Sequence, residues 1–384
     1  MNLTNSTRRI LLVRRENIGD LILTTPLIRL LREQLPDAHI AALVNSYNAP
    51  VLEHNADLDE VFVYTKGKHA DSWWGGVLAR LALVGLFCRL RRMRFDDVIL
   101  AEPTYTLRNI RLARFIIAKP WSSPARRVIG FEHDDGEHTG LDVVVPKAAM
   151  EGLHQAQIML RIASAYAIPA PAGMVVDLPP CRVGPAKPLP SAASTAVAER
   201  DPLHVGLHIS ARKPSQRWPV EAFAALAGQI QQAGAVKFSV FWSPGATDNA
   251  LHPGDDEKAQ ALKTLLATTP VDVDVDFVQT HDLATLIRRL DGVDLLVCAD
   301  GGAMHIAAGL GKPIVALFGD SDPIRWRPWG VAHRVLQAAS RDVADLSVQT
   351  VSAAFCELAA ECGFDGKLAP PRLRCDAAVT GFSV

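Results

Sequence analysis

Residues 295–305, Leu295-Leu296-Val297-Cys298-Ala299-Asp300-Gly301-Gly302-Ala303-Met304-His305, decide the reading of this chain. An apolar run makes a buried strand, two glycines break it, and small residues up to Leu310 restart the chain as a short helix. So abrupt a strand-to-helix turn leaves backbone N–H groups and the positive helix end aimed at one spot, which favours a phosphate or diphosphate. The next segment has the same grammar: 312–318 reads as a buried strand and 319–323, Gly-Asp-Ser-Asp-Pro, as a loop at its carboxyl end. Open α/β sheets bind ligands outside the carboxyl ends of their strands, so two neighbouring strand ends converge on one crevice.

Working outward, strands are predicted at 204–209, 236–242 and 275–278, separated by helices at 220–232, 257–267 and 283–290. The first half alternates in the same way, with strands at 10–13, 39–44, 61–64, 98–101 and 128–130 and helices near 20–34, 73–93, 108–117 and 151–166. Such alternation predicts parallel sheets covered on both faces. Residues 168–202 are rich in proline and alanine, with little periodicity, and read as a linker. The fold class is therefore α/β, with two Rossmann-like domains whose parallel sheets face a central cleft. The expected division is 1–168, a linker at 169–202, a second domain at 203–337, and a tail at 338–384. That tail carries a helix near 345–361 and could pack back on the N-terminal domain. No repeat of fixed period is present.

The chain has 384 residues, 49% of them hydrophobic, enough to fill two cores. Forty basic residues against 41 acidic ones leave a net charge of −1, which gives no global pull towards nucleic acid or anionic lipid. Nucleic acid is not an expected partner, and any contact with lipid must rest on a local patch. The six scattered cysteines, with no signal segment ahead of them, read as the reduced thiols of a cytoplasmic protein. Cys356, Cys362 and Cys375 cluster, but their spacing fits no zinc pattern. The polar N-terminus and the short strand after it exclude a membrane-spanning start.

Three groups of residues carry chemistry. Arg14-Arg15-Glu16-Asn17-Ile18-Gly19-Asp20 lies where the first strand ends and a helix begins, without the G-x-G-x-x-G spacing a dinucleotide needs, so a dehydrogenase is disfavoured. Asp20 reads either as a helix N-cap or as a general base on the cleft floor, and the two roles are compatible. The loop 208–219 (HISARKPSQRWP) is rich in hydroxyls and cations and suits a diphosphate through Ser210, Lys213, Arg212 or Arg217, or else is a solvated surface loop. His305 could donate to a phosphate oxygen or satisfy a local carbonyl. The acidic runs 272–276 and 320–322 contain Asp-x-Asp but read as a wet-faced strand and a turn, so no metal is expected. Trp73 and Trp74 open an apolar helix that ends in Arg89, Arg91, Arg92 and Arg94. It either lies on an anionic bilayer or packs on the sheet with its cations at the helix end. Arg108, Arg111, Arg114, Arg126 and Arg127 gather after the fourth strand, and if they rim the cleft the acceptor is acidic.

These residues carry a resemblance. The chain to about residue 330 resembles glycosyltransferase family 9, the bacterial heptosyltransferases that extend the inner core of lipopolysaccharide from ADP-heptose. It does so through 13–26 with its Ile18-Gly19-Asp20 core, Gln216-Arg217-Trp218-Pro219, 299–311 and 315–328. The resemblance implies a GT-B fold, with the acceptor on the N-terminal domain and the nucleotide sugar on the C-terminal one. It also implies inverting, metal-independent transfer with no cofactor beyond the nucleotide-sugar co-substrate. By the same resemblance Asp20 is the general base, and Asp300, Gly301, Gly302, Ala303 and His305 form the donor turn, joined by Ser210, Lys213, Gln216 and Arg217. Asp248 is the candidate for the donor ribose, and Thr280, within 279–281, lies where the base is expected. Gly19, Arg108 and Arg111 are the acceptor-side candidates. One departure stands out: the family commonly has a lysine where this chain has Gln216, so that Lys213 or Arg212 replaces it or donor affinity is weaker. The implied partner is an acidic, lipid-linked glycan, reached from the cytoplasmic face of the inner membrane. The alternatives are transfer of another activated sugar to a different surface glycan, or a degenerate nucleotide-sugar-binding protein without turnover.

Overall fold

The computed structural model describes residues 7–65, 73–104, 106–117, 126–133, 139–147, 150–169, 182–184, 202–248 and 254–367, with only the backbone for 73–80 and 365. Two six-stranded, wholly parallel sheets form the framework. The first comprises β1 (Arg9–Val13), β2 (His39–Asn45), β3 (Glu60–Tyr64), β4 (Asp97–Leu100), β5 (Arg127–Phe131) and β6 (Val143–Val145), in the order β3-β2-β1-β4-β5-β6. The second comprises β7 (Leu203–His208), β8 (Val236–Trp242), β9 (Val275–Gln279), β10 (Leu295–Ala299), β11 (Ile314–Phe318) and β12 (His333–Gln337), in the order β12-β11-β10-β7-β8-β9. Both orders reverse beside the first strand of their sheet, between β1 and β4 and between β7 and β10. Those switch points are where an open parallel sheet leaves a crevice for ligand.

Strands buried on both faces explain the near-continuous apolar runs. In the first sheet Leu11, Val13, Ala41, Leu43, Val98 and Leu100 share one core with α3 (Trp73–Arg92) and α4 (Leu107–Ile117). Alternate residues such as Ile10, Leu12, Ile40, Ala42 and Ile99 belong to a core formed with α1 (Ile18–Ile22), α2 (Thr25–Gln34) and α5 (Gln155–Leu160). That second core does not stop at the domain. It continues into α8 (Leu283–Asp291), α9 (Gly302–Gly309) and the underside of β10 and β11, so one apolar cluster joins the two halves behind the cleft. The far face of the second sheet is covered by α6 (Val220–Ala233), α7 (Asp256–Thr268) and α11 (Val348–Glu361).

Several expectations are corrected. The helix expected over 20–34 is two helices, because Pro26 lacks an N–H to continue α1 and instead occupies the first turn of α2, after Thr24. The helix expected at 151–166 starts only after His154 and tightens to a 3₁₀ turn from Arg161. The short helix expected after the glycines already begins at Gly302. The tail helix α11 packs on α6, β11 and β12 of the second sheet, not on the N-terminal half. The edge strands β6 and β12 and the short α10 (Pro323–Trp326) were not anticipated, since β6 is too short and β12 too evenly half-buried to show a period. The proline-rich linker lies outside the described residues except at its ends and at 182–184. There, Val183 donates its N–H to Gly309 O and Gly184 to Val51 O, tying both halves together.

Candidate active site

At the first switch point β1 ends in Val13, and Arg14 turns its side chain inward, only 1% exposed. Its Nη1 donates to Ala101 O at the end of β4, and its Nη2 lies 2.7 Å from Asp20 Oδ1 and 3.3 Å from Glu16. Asn17 Nδ2 donates to Asp20 Oδ2 at 3.2 Å. Asn17, not Asp20, is the N-cap of α1, so Asp20 sits a turn inside, 8% exposed, with both oxygens oriented. A carboxylate held this way is pointed by its neighbours instead of capping a helix.

At the second switch point the glycine turn stands at the end of β10. Gly301 caps α9 with extended backbone, and beyond its chain neighbours no atom of the described residues lies within 4 Å of where a Cβ would be. The space in front of the turn is therefore cleft, and a glycine there leaves backbone N–H groups accessible to an anion. Asp300 accepts hydrogen bonds from Ser321 Oγ at 2.6 Å and Gln216 Nε2 at 3.1 Å. Gln216, 7% exposed, thus ties the 213–217 loop to the glycine turn and to the loop after β11. Gly319 permits that approach, since a Cβ there would run into the Ser215 carbonyl.

The two switch points meet. His305, in the first turn of α9, is 4% exposed and packs over Gly19 of α1: a Cβ on Gly19 would lie 2.5 Å from His305 Cδ2. Burial lowers the His305 pKa against the opposing pull of the Asp300 and Asp20 carboxylates, so it stands as a neutral ring between them. Its Nδ1 has no hydrogen-bond partner among the described residues. Arg325 of α10 also feels Asp20, although its own burial pulls its pKa down.

The remaining candidates divide. Ser210 Oγ accepts from Ser243 N at 2.9 Å, and Thr280 Oγ1 donates to Trp242 O at 2.7 Å, so both tie the loops after β7 and β9 to the end of β8. Lys213 is paired with Asp320 at 3.0 Å, on the rim. Arg217 is occupied by the fully buried Asp255 and by Ala211 O, so it braces the loop and is not free for phosphate. Arg212 is exposed, with no ion pair among the described residues, and is the loop's available cation. Asp248 lies in an exposed turn. Nearby, Asp256 accepts from Trp242 Nε1, Gly245 N and Gln279 Nε2 at 2.8–2.9 Å. These donors, the indole first, lower its pKa. Lys258 donates to Ile209 O and Trp218 O beneath the loop, and burial pushes it down to about 8. Arg108 and Arg111 lie exposed on α4, which starts at the cleft end of β4, and Gly19 is in contact with His305.

Arg14, Asp255, Asp256, Lys258 and Arg325, which the structure brings to the candidate site, were not singled out in the sequence. Only Arg14 and the Asp255-Asp256 pair left a signal, as a charge at a strand end and acids at a helix start. Among the described residues no three His, Cys, Asp or Glu side chains cluster as a metal site, and no helix is long and apolar enough to cross a membrane.

The profile of glycosyltransferase family 9 (heptosyltransferase) matches residues 177–353, the half that holds the glycine turn and both flanking loops. Residues 177–353 therefore carry the sequence pattern of that family. The chain is 25% identical over 320 residues to lipopolysaccharide heptosyltransferase 3 of Escherichia coli K12, covering 81% of this chain and 82% of that one. A 147-residue stretch is 26% identical to lipopolysaccharide heptosyltransferase 1 of the same strain, covering 38% of this chain and 41% of the relative. In fold it is similar to a family 9 glycosyltransferase from Veillonella parvula (TM-score 0.70, 21% identity, 94% of this chain and 100% of that one). It is also similar to the E. coli heptosyltransferase WaaC with ADP (TM-score 0.69, 16% identity, 91% and 99%). The fold is therefore GT-B, as its two facing parallel sheets require.

Proposed function

We propose that this enzyme transfers heptose from ADP-heptose to an acidic, lipid-linked glycan of the lipopolysaccharide core type. Asp20 carries the reading: a buried carboxylate, oriented by Arg14 and Asn17, at the point where the acceptor half meets the helix that would hold the donor diphosphate. In the proposed reaction an acceptor hydroxyl attacks the anomeric carbon from the face opposite the diphosphate. Its proton passes to Asp20, the bond from carbon to diphosphate oxygen breaks, and ADP leaves with inversion. The backbone N–H groups at Gly301 and Gly302, the α9 N-terminus and Arg212 would take up the charge on the leaving diphosphate, chemistry that does not call for a metal. Asp256, Thr280 and Trp242 would shape the nucleoside corner.

The described part of α3 favours action at an anionic membrane face. Leu81 and Val84 turn outward, 62% and 59% exposed, and Arg92 and Arg94 follow without ion-pair partners among the described residues. The Trp73 and Trp74 side chains lie outside the described residues.

The test is nucleotide release from ADP-heptose with a core-glycan acceptor, alongside calorimetry with ADP, UDP and GDP, each with and without Mg²⁺. Asp20→Ala should lose about 10²–10⁴-fold in turnover while ADP affinity stays within a factor of two or so. Preference for UDP or GDP would reject the donor, and undiminished turnover in Asp20→Ala would reject the base.

A further inference from the structure

The acceptor half holds a second polar pocket that neither Asp20 nor the donor loops use. It opens at the carboxyl end of β4, lined by Leu100, Glu102, Thr106, Asn109, Phe131 and Leu141, with room for little more than one water-sized group. Two buried oxygens of residues that line it, Glu102 Oε1 and Thr106 Oγ1, have no hydrogen-bond partner among the described residues. Glu102 is 5% exposed, and its other oxygen is fixed: Asn109 Nδ2 donates to Oε2, Arg15 Nη1 donates to Asn109 Oδ1 at 3.1 Å, and Arg15 Nε donates to Tyr64 Oη at 3.0 Å.

Thr106 departs from habit. A threonine just before a helix usually turns its hydroxyl back onto a first-turn N–H. Here the N–H groups of Asn109 and Ile110 bond to the Thr106 carbonyl, and the hydroxyl of this pocket-lining residue has no partner among the described residues. Two oriented oxygens left unpartnered in one small cavity are costly unless a ligand completes them.

Charge narrows that ligand. Glu102 and the nearby Glu16 repel a carboxylate or phosphate, while Arg14 and Arg15 repel a cation. A neutral group that both donates and accepts remains. Resting on the acceptor reading above, we infer that the Glu102–Thr106 pocket binds a single hydroxyl of the acceptor glycan, which donates to Glu102 Oε1 and accepts from Thr106 Oγ1. Arg14 bonds Ala101, next to Glu102, and pairs with Asp20, so a sugar anchored in the pocket is held in a fixed relation to the base. The pocket thereby selects which acceptor hydroxyl reaches Asp20.

Thr106→Val tests this at nearly constant shape. Because it deletes a hydroxyl without a partner among the described residues, thermal stability should hold or rise, whereas a merely structural threonine would lose stability. Affinity for a delipidated, acidic core-oligosaccharide fragment should fall about tenfold, with ADP affinity unchanged. Glu102→Gln, which keeps an acceptor oxygen, should lose less than Glu102→Ala. One deoxy analogue of the fragment should bind the wild type about tenfold more weakly yet lose nothing further in Thr106→Val. Equal affinity of wild type and Thr106→Val for the fragment overturns the subsite, makes the pocket a water site and leaves the acceptor reading standing. A wild type that binds ADP but not the fragment overturns both.

Discussion

Replacing Arg14 by methionine tests the electrostatic floor of the cleft. The guanidinium is 1% exposed and spans two partners, Ala101 O on one side and Asp20 Oδ1, at 2.7 Å, on the other. Methionine fills much of the volume but satisfies neither. At an effective dielectric near 20 the pair's Coulomb energy is about 6 kcal/mol, much of which offsets the cost of desolvating both ions. Breaking one side of such a pair costs about 3–5 kcal/mol. The Asp20 side chain keeps 11% of its surface in water and so recovers part of its hydration. We therefore expect a loss of about 3 kcal/mol, or roughly 6–12 °C in melting temperature for a domain of this size. Turnover should fall further than stability predicts, by about 10²-fold, because the carboxylate loses its orientation. Arg14→Lys keeps the charge but reaches only one partner and should fall between the two. The measurements are melting curves and steady-state nucleotide release at saturating donor, well below the melting temperature. Turnover within twofold of wild type in Arg14→Met would refute the claim that Arg14 positions Asp20.

Two further outcomes follow from the geometry. In Gly319→Ala the new Cβ would stand 2.8 Å from the Ser215 carbonyl carbon, which is backbone and cannot turn aside, so the Lys213–Gln216 loop must shift. Stability should fall by about 1–3 kcal/mol and donor affinity with it, readable by calorimetry with ADP. His154 accepts from Ala156 N through Nδ1, donates to Arg327 O through Nε2 at 2.8 Å and stacks on Trp329, bridging the halves as a neutral ring whose pKa burial pushes down to about 3. Its folded pKa lies below the unfolded 6.5, so its contribution is complete above pH 6.5 and is lost as pH falls from there towards 3, by about 1.4 kcal/mol per unit. His204, His208, His305 and His333 are lowered in the same direction. The wild type should thus lose stability steeply between pH 6.5 and 5, and denaturant melts of His154→Gln should show a slope shallower by that one proton.

By itself the sequence determined the two alternating halves, nearly every buried strand, the glycine turn at 300–302 and the placing of Asp20 at a strand end. Those follow from local causes: apolar runs must be buried, glycines break strands, and a parallel sheet gathers its loops at one end. The tertiary structure decided which charges are available. Lys213 and Arg217 look like equal phosphate cations in the sequence, yet Arg217 is taken by Asp255 and Lys213 by Asp320, partners 38 and 107 residues away. Gln216, read as a missing lysine, proves to be a buried amide that joins Asp300 and Ser321. Asp256, not singled out in the sequence, ties the ends of β8 and β9 together, whereas Asp248 lies in an exposed turn. Arg14 became central only when β4 came alongside β1 and offered Ala101 O, and the Glu102–Thr106 pocket exists only because α4 folds its first turn over that same strand end. The meeting of His305 with Gly19 belongs to neither half alone, since no local pattern records how closely two helices approach across a cleft.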